Sequence, residues 1–179
     1  MRFRVPDNMR LREVTDKDHE WLVELHNDPD VLYNLTNPQP IRLIDHMAWW
    51  ERIQADPKEK RLVFEVDDSR VGFTKFYSID RVNGNCVLGA DIHRDHRGKG
   101  LAKHMWSLML EGAFAHWRLY RVSLTTAEYN RIGQRVYQRL GFKEEGRLVQ
   151  SLKRGDKHFD QIAMYMLRPD WMVMEFEDG

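Results

Sequence analysis

Apolar residues recur along the chain with two spacings, one typical of strands and one typical of helices. Period-two alternation and short apolar runs predict strands over 9–14, 61–66, 71–77, 87–93, 120–125, 149–152 and 159–167. Helical spacing predicts helices over 15–27, 41–53, 101–117 and 130–141. Successive hairpins followed by a strand, a loop and a helix indicate an α/β sandwich built on a mixed sheet.

The pattern also gives expectations for three less regular parts of the chain. The segment between the first two helices is rich in Asn, Asp and Pro, so we expect it to be irregular. The residues 175–179 are expected to form a polar tail. The second helix should direct its apolar residues inward, namely Ile44, Met47, Ala48 and Ile53.

Composition narrows the class of protein. The chain has 179 residues and 42% hydrophobic content, which predicts one domain over 1–179 with a substantial core. The 28 basic and 28 acidic residues cancel, and no apolar run is long enough to span a bilayer, so we expect neither a nucleic-acid partner nor a membrane. With one cysteine and no signal-peptide core, cytoplasmic residence is expected. The histidine spacings fit no usual zinc site, and the Trp and Met content is compatible with a homodimer.

The stretch from Val87 to the following helix contains two glycines one residue apart. Gly98 and Gly100 can adopt positive φ, and the N–H groups that begin the helix lack intrahelical partners. These donors and the helix dipole suit a phosphate, although a plain tight turn has the same sequence. Lys103 occupies the third glycine position of a Rossmann loop, and Leu101 replaces the Ser or Thr of a P-loop, so neither of those motifs is present.

A second segment makes the phosphate interpretation more specific. Together the two segments resemble the GCN5-related N-acetyltransferase (GNAT) superfamily, over roughly residues 9–168. The R-G-x-G-[LI]-[GA] loop of that family is matched by Arg97, Gly98, Lys99, Gly100, Leu101 and Ala102. Its later N-x-x-[AG]-x-x-x-Y-x-x-x-G-F pattern is matched by Asn130, Gly133, Tyr137, Gly141 and Phe142.

The resemblance implies a fold and a donor. The implied GNAT fold is α/β (α+β), with a mostly antiparallel twisted sheet of about seven strands, flanked by about four helices. Its fourth and fifth strands, here 87–93 and 120–125, are parallel and splay apart around the pantetheine arm of acetyl-CoA. Ile92 and His93 should offer backbone groups there, and Asn130 should contact the pantetheine or cap its helix. The loop from Arg97 to Ala102 should hold the diphosphate, with the Arg97 and Lys99 side chains beside it.

The resemblance also implies a reaction, transfer of an acetyl group to a primary amine. Ile92 N–H is expected to polarise the thioester carbonyl, and Tyr137 to protonate the leaving thiolate, since a phenol stays protonated at neutral pH. The glutamate that several members use as base is Thr125 here. Asp91 and His93, on one face of their strand, and His96 are therefore alternative bases, each of which has an ordinary structural role as its alternative.

The acceptor is less specified than the donor. The chain looks most like the subgroup of ribosomal-protein, spermidine and nucleotide-amino-sugar acetyltransferases, and slightly more like the amino-sugar branch. The alternative acceptors are the N-terminus of a ribosomal protein and a polyamine, which Asp28, Asp30 and Asp45 could hold. A different alternative is a binding module that keeps the fold without catalysis. The side chains expected to contact the acceptor, or else to belong to the core or a partner surface, are Asn27, Tyr33, Asn34, Asn37, His46, Trp49 and Trp50.

Overall fold

The computed structural model describes residues 2–177 of the chain. Its strands are β1 (Arg2–Phe3), β2 (Met9–Glu13), β3 (Lys60–Val66), β4 (Ser69–Asp80), β5 (Asn85–Ile92), β6 (Arg121–Ala127), β7 (Lys143–Arg154), β8 (Lys157–Leu167) and β9 (Phe176–Glu177). Its α-helices are α1 (His19–Asn27), α2 (Pro29–Asn34), α3 (Leu43–Ile53), α4 (Leu101–Glu111), α5 (Arg131–Leu140) and α6 (Arg168–Met172). Two 3-10 turns, Asp16–Asp18 and Arg94–His96, precede α1 and follow β5, and a π-helical turn, Gly112–His116, extends α4.

Seven strands form the central sheet, in the order β2-β3-β4-β5-β6-β8-β7. The β5–β6 pair is parallel and the other neighbouring pairs are antiparallel. Strands β1 and β9 make a separate parallel pair. The expected mixed, mostly antiparallel sheet with flanking helices is therefore confirmed.

Helix α4 packs the main hydrophobic core against the centre of this sheet. Its buried residues Met105, Trp106, Met109 and Leu110 recur at helical spacing and so lie on one face. They belong to one cluster with side chains from the central strands, among them Phe64, Phe76, Leu88 and Val122. This packing fixes the start of α4, and hence the glycine loop before it, relative to the end of β5.

Some elements differ from the expectations for local physical reasons. The segment after α1 is not irregular throughout, because Asp28 Oδ1 accepts hydrogen bonds from Asp30 N and Val31 N, and Pro29 occupies the first turn of α2. On α3 the buried residue is His46, whereas Ile44 is 67% exposed and Ala48 is also exposed, so the predicted inward face is wrong for these two residues; Met47 and Ile53 are half-buried. Phe176, in the expected polar tail, pairs in β9.

An ion-pair network holds the N-terminus of α1 to the sheet edge. The Arg12 guanidinium on β2 bonds Asp18 Oδ2 at 2.6 Å and Glu65 Oε1 on β3 at 2.6 Å. Asp18 also accepts from the Thr15 backbone N–H and hydroxyl. Burial alone would raise the pKa of Asp18, but the hydrogen bonds from Arg12 and Thr15 outweigh it and lower the pKa to about 2. The network therefore positions α1 over the sheet.

Gly72 on β4 lets the β4 backbone lie close to both the end of β5 and α4. A Cβ at this position would lie 2.8 Å from the Asp91 carbonyl oxygen and 2.9 Å from Met105 Sδ. We expect Gly72→Ala to lower the free energy of unfolding by about 1–3 kcal/mol, because backbone and core must shift to admit the methyl group. Urea denaturation followed by circular dichroism measures the change.

Gly112→Ala is the matched control for this substitution. Gly112 is helical, and a Cβ there would have no atom within 4 Å, so its stability should be unchanged or slightly raised. Equal stability of the two variants would contradict the steric role of Gly72.

Candidate active site

The central sheet opens between β5 and β6. These strands pair only from Asn85–Arg121 to Val87–Ser123, after which no ladder pair joins them. The later part of β5 stays paired with β4, and the later part of β6 with β8. The cleft between the diverging strands therefore exposes backbone groups from both, as expected for splayed parallel strands.

The peptide group of Ile92 faces this cleft. His93 N–H donates to Val71 O at 2.9 Å, which identifies the Ile92–Gly72 pair as one without mutual hydrogen bonds. Since alternate residues of an antiparallel pair direct their backbone groups to opposite edges, Ile92 N–H points away from β4 and toward β6. His93 was expected to offer backbone groups here as well, but its N–H donates to Val71 O and its carbonyl accepts from His96 N at 2.9 Å.

The loop after β5 leaves room for an anion at the N-terminus of α4. Gly98 and Gly100 have φ of 75° and 73°, and a Cβ on either would meet no atom within 4 Å. Gly100 is the N-cap of α4 and offers no side-chain acceptor, so the N–H groups that begin with Leu101 and Ala102 are not capped by it. This arrangement fits the diphosphate of a nucleotide-bearing donor.

The Arg97 side chain lies elsewhere than expected. Its Nε donates to Ile92 O at 3.0 Å, and its two terminal nitrogens donate to Asp28 Oδ1 and Asp30 Oδ2, each at 2.8 Å. The guanidinium is thus turned toward α2 rather than toward the diphosphate position. Lys99 is the other cationic side chain of the loop.

Helix α5 carries the second half of the motif on the opposite side of the cleft. Asn130 Oδ1 accepts from Gly133 N at 3.0 Å, and its Nδ2 donates to Thr126 Oγ1 at 3.2 Å. Asn130 therefore caps the helix, which was one of its two expected roles. A Cβ on Gly133 would lie 2.6 Å from Asn130 Nδ2, so the glycine makes room for this cap. Gly141, at φ 99°, ends the helix as expected.

Tyr137 projects from α5 with its ring held by aromatic neighbours. The ring contacts Trp106 of α4 edge-on, with the centroids 4.9 Å apart, and lies 6.1 Å from Phe142. Burial raises the pKa of the Tyr137 phenol, and the negative charge of Asp91 raises it further. A phenol with a raised pKa keeps its proton at neutral pH, which is the state a general acid requires.

A cavity of about 400 Å³ lies beside the end of β5, between the sheet and the helices α1 and α3. Its volume is in the range of small-molecule sites. Six of its lining residues are apolar: Leu22, Leu25, Leu35, Ile41, Trp49 and Phe73. The others are polar or charged: His26, Asn37, Asp45, His46, Arg61, Lys75 and Asp91.

The charged groups of the cavity are paired. Lys75 Nζ lies 2.5 Å from Asp91 Oδ2, and Asp45 is held by Arg42 at 2.7 Å. Arg61 has Glu59 at 2.5 Å and donates to Phe76 O at 2.9 Å. The cavity is therefore apolar over much of its wall, and its acidic groups are neutralised.

Of the expected bases, only Asp91 lines the cavity. His93 is stacked on Trp21, with the centroids 5.9 Å apart, and its Nδ1 accepts from Asp95 N at 3.4 Å. His93 thus caps the turn that leads to the loop. His96 lies in the same 3-10 turn, and burial lowers its pKa.

The expected acceptor contacts divide into two groups. His46, Trp49 and Asn37 line the cavity. Asn27 does not, because its side-chain amide forms two 2.8 Å hydrogen bonds with the backbone of Ile41. Tyr33 lies against Tyr129, and its carbonyl accepts from Arg154 Nε at 2.8 Å, also outside the cavity lining. Asn27 therefore holds the backbone of Ile41, which does line the cavity.

Sequence reasoning missed the contribution of the strands to this cavity. Phe73 and Lys75 on β4 alternate and so lie on one face, and Arg61 comes from β3. The alternation was visible in the sequence. Which face of β4 lines the cavity was not, because both faces of the central strands are covered.

Comparison with known proteins agrees with this geometry. Residues 8–143 match the family model described as an acetyltransferase (GNAT) domain. The chain belongs to the GNAT family of acetyltransferases. It is an enzyme of the N-acetyltransferase class, and its acyl donor is acetyl-CoA.

Individual relatives align with this GNAT chain over most of their length. The L-amino acid N-acetyltransferase AaaT of Escherichia coli (strain K12) is 31% identical over 161 residues, which are 88% of this chain and 96% of AaaT. The prophage-derived N-acetyltransferase YokL of Bacillus subtilis (strain 168) is 27% identical, over 92% of this chain and 93% of YokL. The crystal structure of spermidine N-acetyltransferase from Vibrio cholerae, in complex with CoA and spermine, superposes with a TM-score of 0.89 at 22% identity, covering 93% of this chain and 99% of that one.

Within residues 2–177, no helix is both long enough and apolar enough to cross a bilayer.

Two buried histidines connect the helices that wall the cavity. His19 Nδ1 of α1 lies 3.0 Å from His46 Nε2 of α3, and the two side chains are 3% and 4% exposed. At this distance one ring donates and the other accepts, so the accepting nitrogen must be unprotonated. Burial and the neighbouring His19 and His26 lower the pKa of His46 to about 4.

Because folding lowers the pKa of His46 from about 6.5 to about 4, the unfolded chain binds the extra proton over that interval. We expect the free energy of unfolding to fall as the pH drops from about 6.5 toward 4, and the decline to be shallower in His46→Gln. Urea denaturation at a series of pH values measures the slope. His158→Gln, at an exposed position, is the control and should keep the wild-type slope. An unchanged slope in His46→Gln would contradict the assignment.

Proposed function

We propose that the enzyme transfers the acetyl group directly to a primary amine bound in the cavity, within a ternary complex. The supporting observation is that the cavity and the donor cleft meet at the end of β5, where Asp91 lines the one and Ile92 N–H faces the other. An acyl-cysteine intermediate is disfavoured. Cys86, the single cysteine, is buried, and burial raises the pKa of its thiol to about 12.

Three groups of the chain carry the proposed chemistry. The amine nitrogen attacks the thioester carbonyl carbon, so the C–N bond forms as the C–S bond breaks. Ile92 N–H donates a hydrogen bond to the carbonyl oxygen while negative charge develops there. Asp91 accepts the proton that the amine loses, and Tyr137 gives its proton to the thiolate sulfur. Protons and charge therefore balance across the transfer.

The Tyr137→Phe variant tests the assignment of the acid. It removes the hydroxyl and keeps the ring that packs on Trp106, so the fold and donor binding should be retained. We expect kcat to fall about 100-fold or more, with little change in KM for acetyl-CoA. Steady-state release of CoA thiol measures both constants.

Tyr120→Phe is the matched control, because Tyr120 is 55% exposed on the surface and should tolerate the change without loss of activity. A Tyr137→Phe enzyme with wild-type kcat would remove the phenol from the mechanism.

For the acceptor, we propose a small amine with an apolar body, such as an apolar amino acid. Leu22, Leu25, Leu35, Ile41 and Phe73 offer the cavity apolar surface, which a hydrocarbon side chain would cover. Lys75 and Arg61 also line the cavity, but each already has an acidic partner, so the apolar wall carries this choice. The likeness to the L-amino acid N-acetyltransferase of E. coli supports this choice.

The alternatives from sequence are less well matched by this cavity. A polyamine needs uncompensated carboxylates, but Asp28 and Asp30 bond Arg97, and Asp45 bonds Arg42. A nucleotide-linked amino sugar would place polar hydroxyls and phosphates against a largely apolar wall. A ribosomal-protein N-terminus shares the apolar amino-acid chemistry and is distinguished by experiment.

A panel of amines at one concentration tests the acceptor. We expect CoA release with L-phenylalanine and L-methionine to exceed release with spermidine, a nucleotide-linked amino sugar and an N-terminal ribosomal peptide. L-aspartate is the control, because it has the same amine and α-carboxylate on a charged body. Highest turnover with spermidine or the amino sugar would overturn the acceptor assignment. Binding of acetyl-CoA without turnover across the panel would support the binding-module alternative.

A further inference from the structure

The Arg97 side chain connects the end of β5 to the start of α2. It bonds the carbonyl of Ile92 at the end of β5, the buried carboxylate of Asp28 before α2, and the exposed carboxylate of Asp30. Its own backbone leads directly into Gly98 of the donor loop.

The Asp28 partner supports the wall of the acceptor cavity from behind, without lining it. Asp28 is 6% exposed and caps α2 through the N–H groups of Asp30 and Val31. Val31 packs with Leu22, Leu25 and Phe73, which line the cavity. The hydrogen bond from Arg97 lowers the pKa of Asp28 against the opposing effect of burial, so the pair is ionised at neutral pH.

The Ile92 partner belongs to the donor side. The Ile92 carbonyl lies on the same edge of β5 as its N–H, the edge that faces the open cleft. A guanidinium bonded to this carbonyl restrains the rotation of the strand end. It therefore restrains the direction of the N–H that is proposed to polarise the thioester.

We propose that Arg97 is a positioning residue that fastens the acceptor wall to the donor loop, rather than a ligand of the donor phosphates. Its planar, five-donor fork suits this role, because Nε and one terminal nitrogen of the same side chain bond Ile92 O and Asp28 Oδ1 in fixed directions. Lysine keeps the charge but loses the fork. This role rests on the proposed function, because it concerns how the enzyme holds the acceptor and the donor in register.

The two roles of Arg97 predict opposite results for CoA binding. If Arg97 is a positioning residue, its guanidinium donors are already bonded to Asp28 and Ile92, and it contributes little to CoA affinity. A phosphate ligand would contribute directly, and removal of the competing Asp28 carboxylate would then tighten binding. Asp28→Asn is a suitable probe because asparagine is also a preferred N-cap residue and can keep the cap of α2 while losing the ion pair.

We expect CoA, titrated calorimetrically, to bind Arg97→Lys and Asp28→Asn within about threefold of wild type. With acetyl-CoA and L-phenylalanine, kcat should fall about tenfold or more in each variant, while KM for acetyl-CoA stays within about threefold. The double variant should lose about as much kcat as the more impaired single variant, because both substitutions remove the Arg97–Asp28 pair. Thermal melts verify that the variants fold.

Asp30→Asn is the matched control, because Asp30 is 83% exposed and its pair with Arg97 should contribute little. Its kcat should stay within about twofold of wild type. A CoA affinity at least about tenfold weaker in Arg97→Lys, with tighter binding in Asp28→Asn, would overturn the proposal in favour of phosphate ligation. Unchanged kcat in both variants, or additive losses in the double variant, would also overturn it.

The calorimetric arm uses CoA alone, so it does not depend on the acceptor. If wild type fails to acetylate L-phenylalanine, the acceptor assignment is wrong, and the kinetic arm is run with the most active amine of the panel. Failure of the proposed function and failure of the positioning role are thereby distinguished.

Discussion

The opening of the sheet between β5 and β6 is the constraint on which the site depends. Strands that remained paired beyond Val87 and Ser123 would use their N–H and C=O groups on each other. Because they diverge, the N–H of Ile92 is left facing a cleft, beside the N-terminus of α4, which has no side-chain cap. Contacts of β5 with neighbouring elements stabilise this divergence. Gly72 lets β4 approach the end of β5, α4 packs over both, and Arg97 bonds the Ile92 carbonyl.

Electrostatic compensation determines what the cavity beside this cleft can accept. The chain carries many acidic residues near the site, yet Asp28 and Asp30 bond Arg97, Asp45 bonds Arg42, and Asp91 bonds Lys75. Such pairs leave little negative potential for a polycation. The apolar side chains of α1 and β4 then dominate the wall. The proposed acceptor preference therefore rests on how charges are paired and not on how many there are.

The local elements and the donor loop were predictable from sequence because their determinants are local. Period-two runs gave the strands, and the glycine pair and Tyr137 pattern gave the donor side. Local rules also explain two failures. Asp28 and Pro29 together are a helix start, which the Asn, Asp and Pro content of the segment concealed. On α3, His46 rather than Ile44 faces inward because it pairs with His19, a residue 27 positions away.

The sequence by itself determined the kinds of elements, the donor loop and the family, since these depend on residues a few positions apart. Only the tertiary structure decided which side chains meet. Asn27 and Tyr33 were candidates for contact with the acceptor, but they bond the backbone of Ile41 and the side chain of Arg154. Arg97 turned from the phosphates to Asp28, 69 positions earlier. Pairing of charges and amides across such separations depends on the packing of α1, α2 and the sheet, which no local pattern encodes.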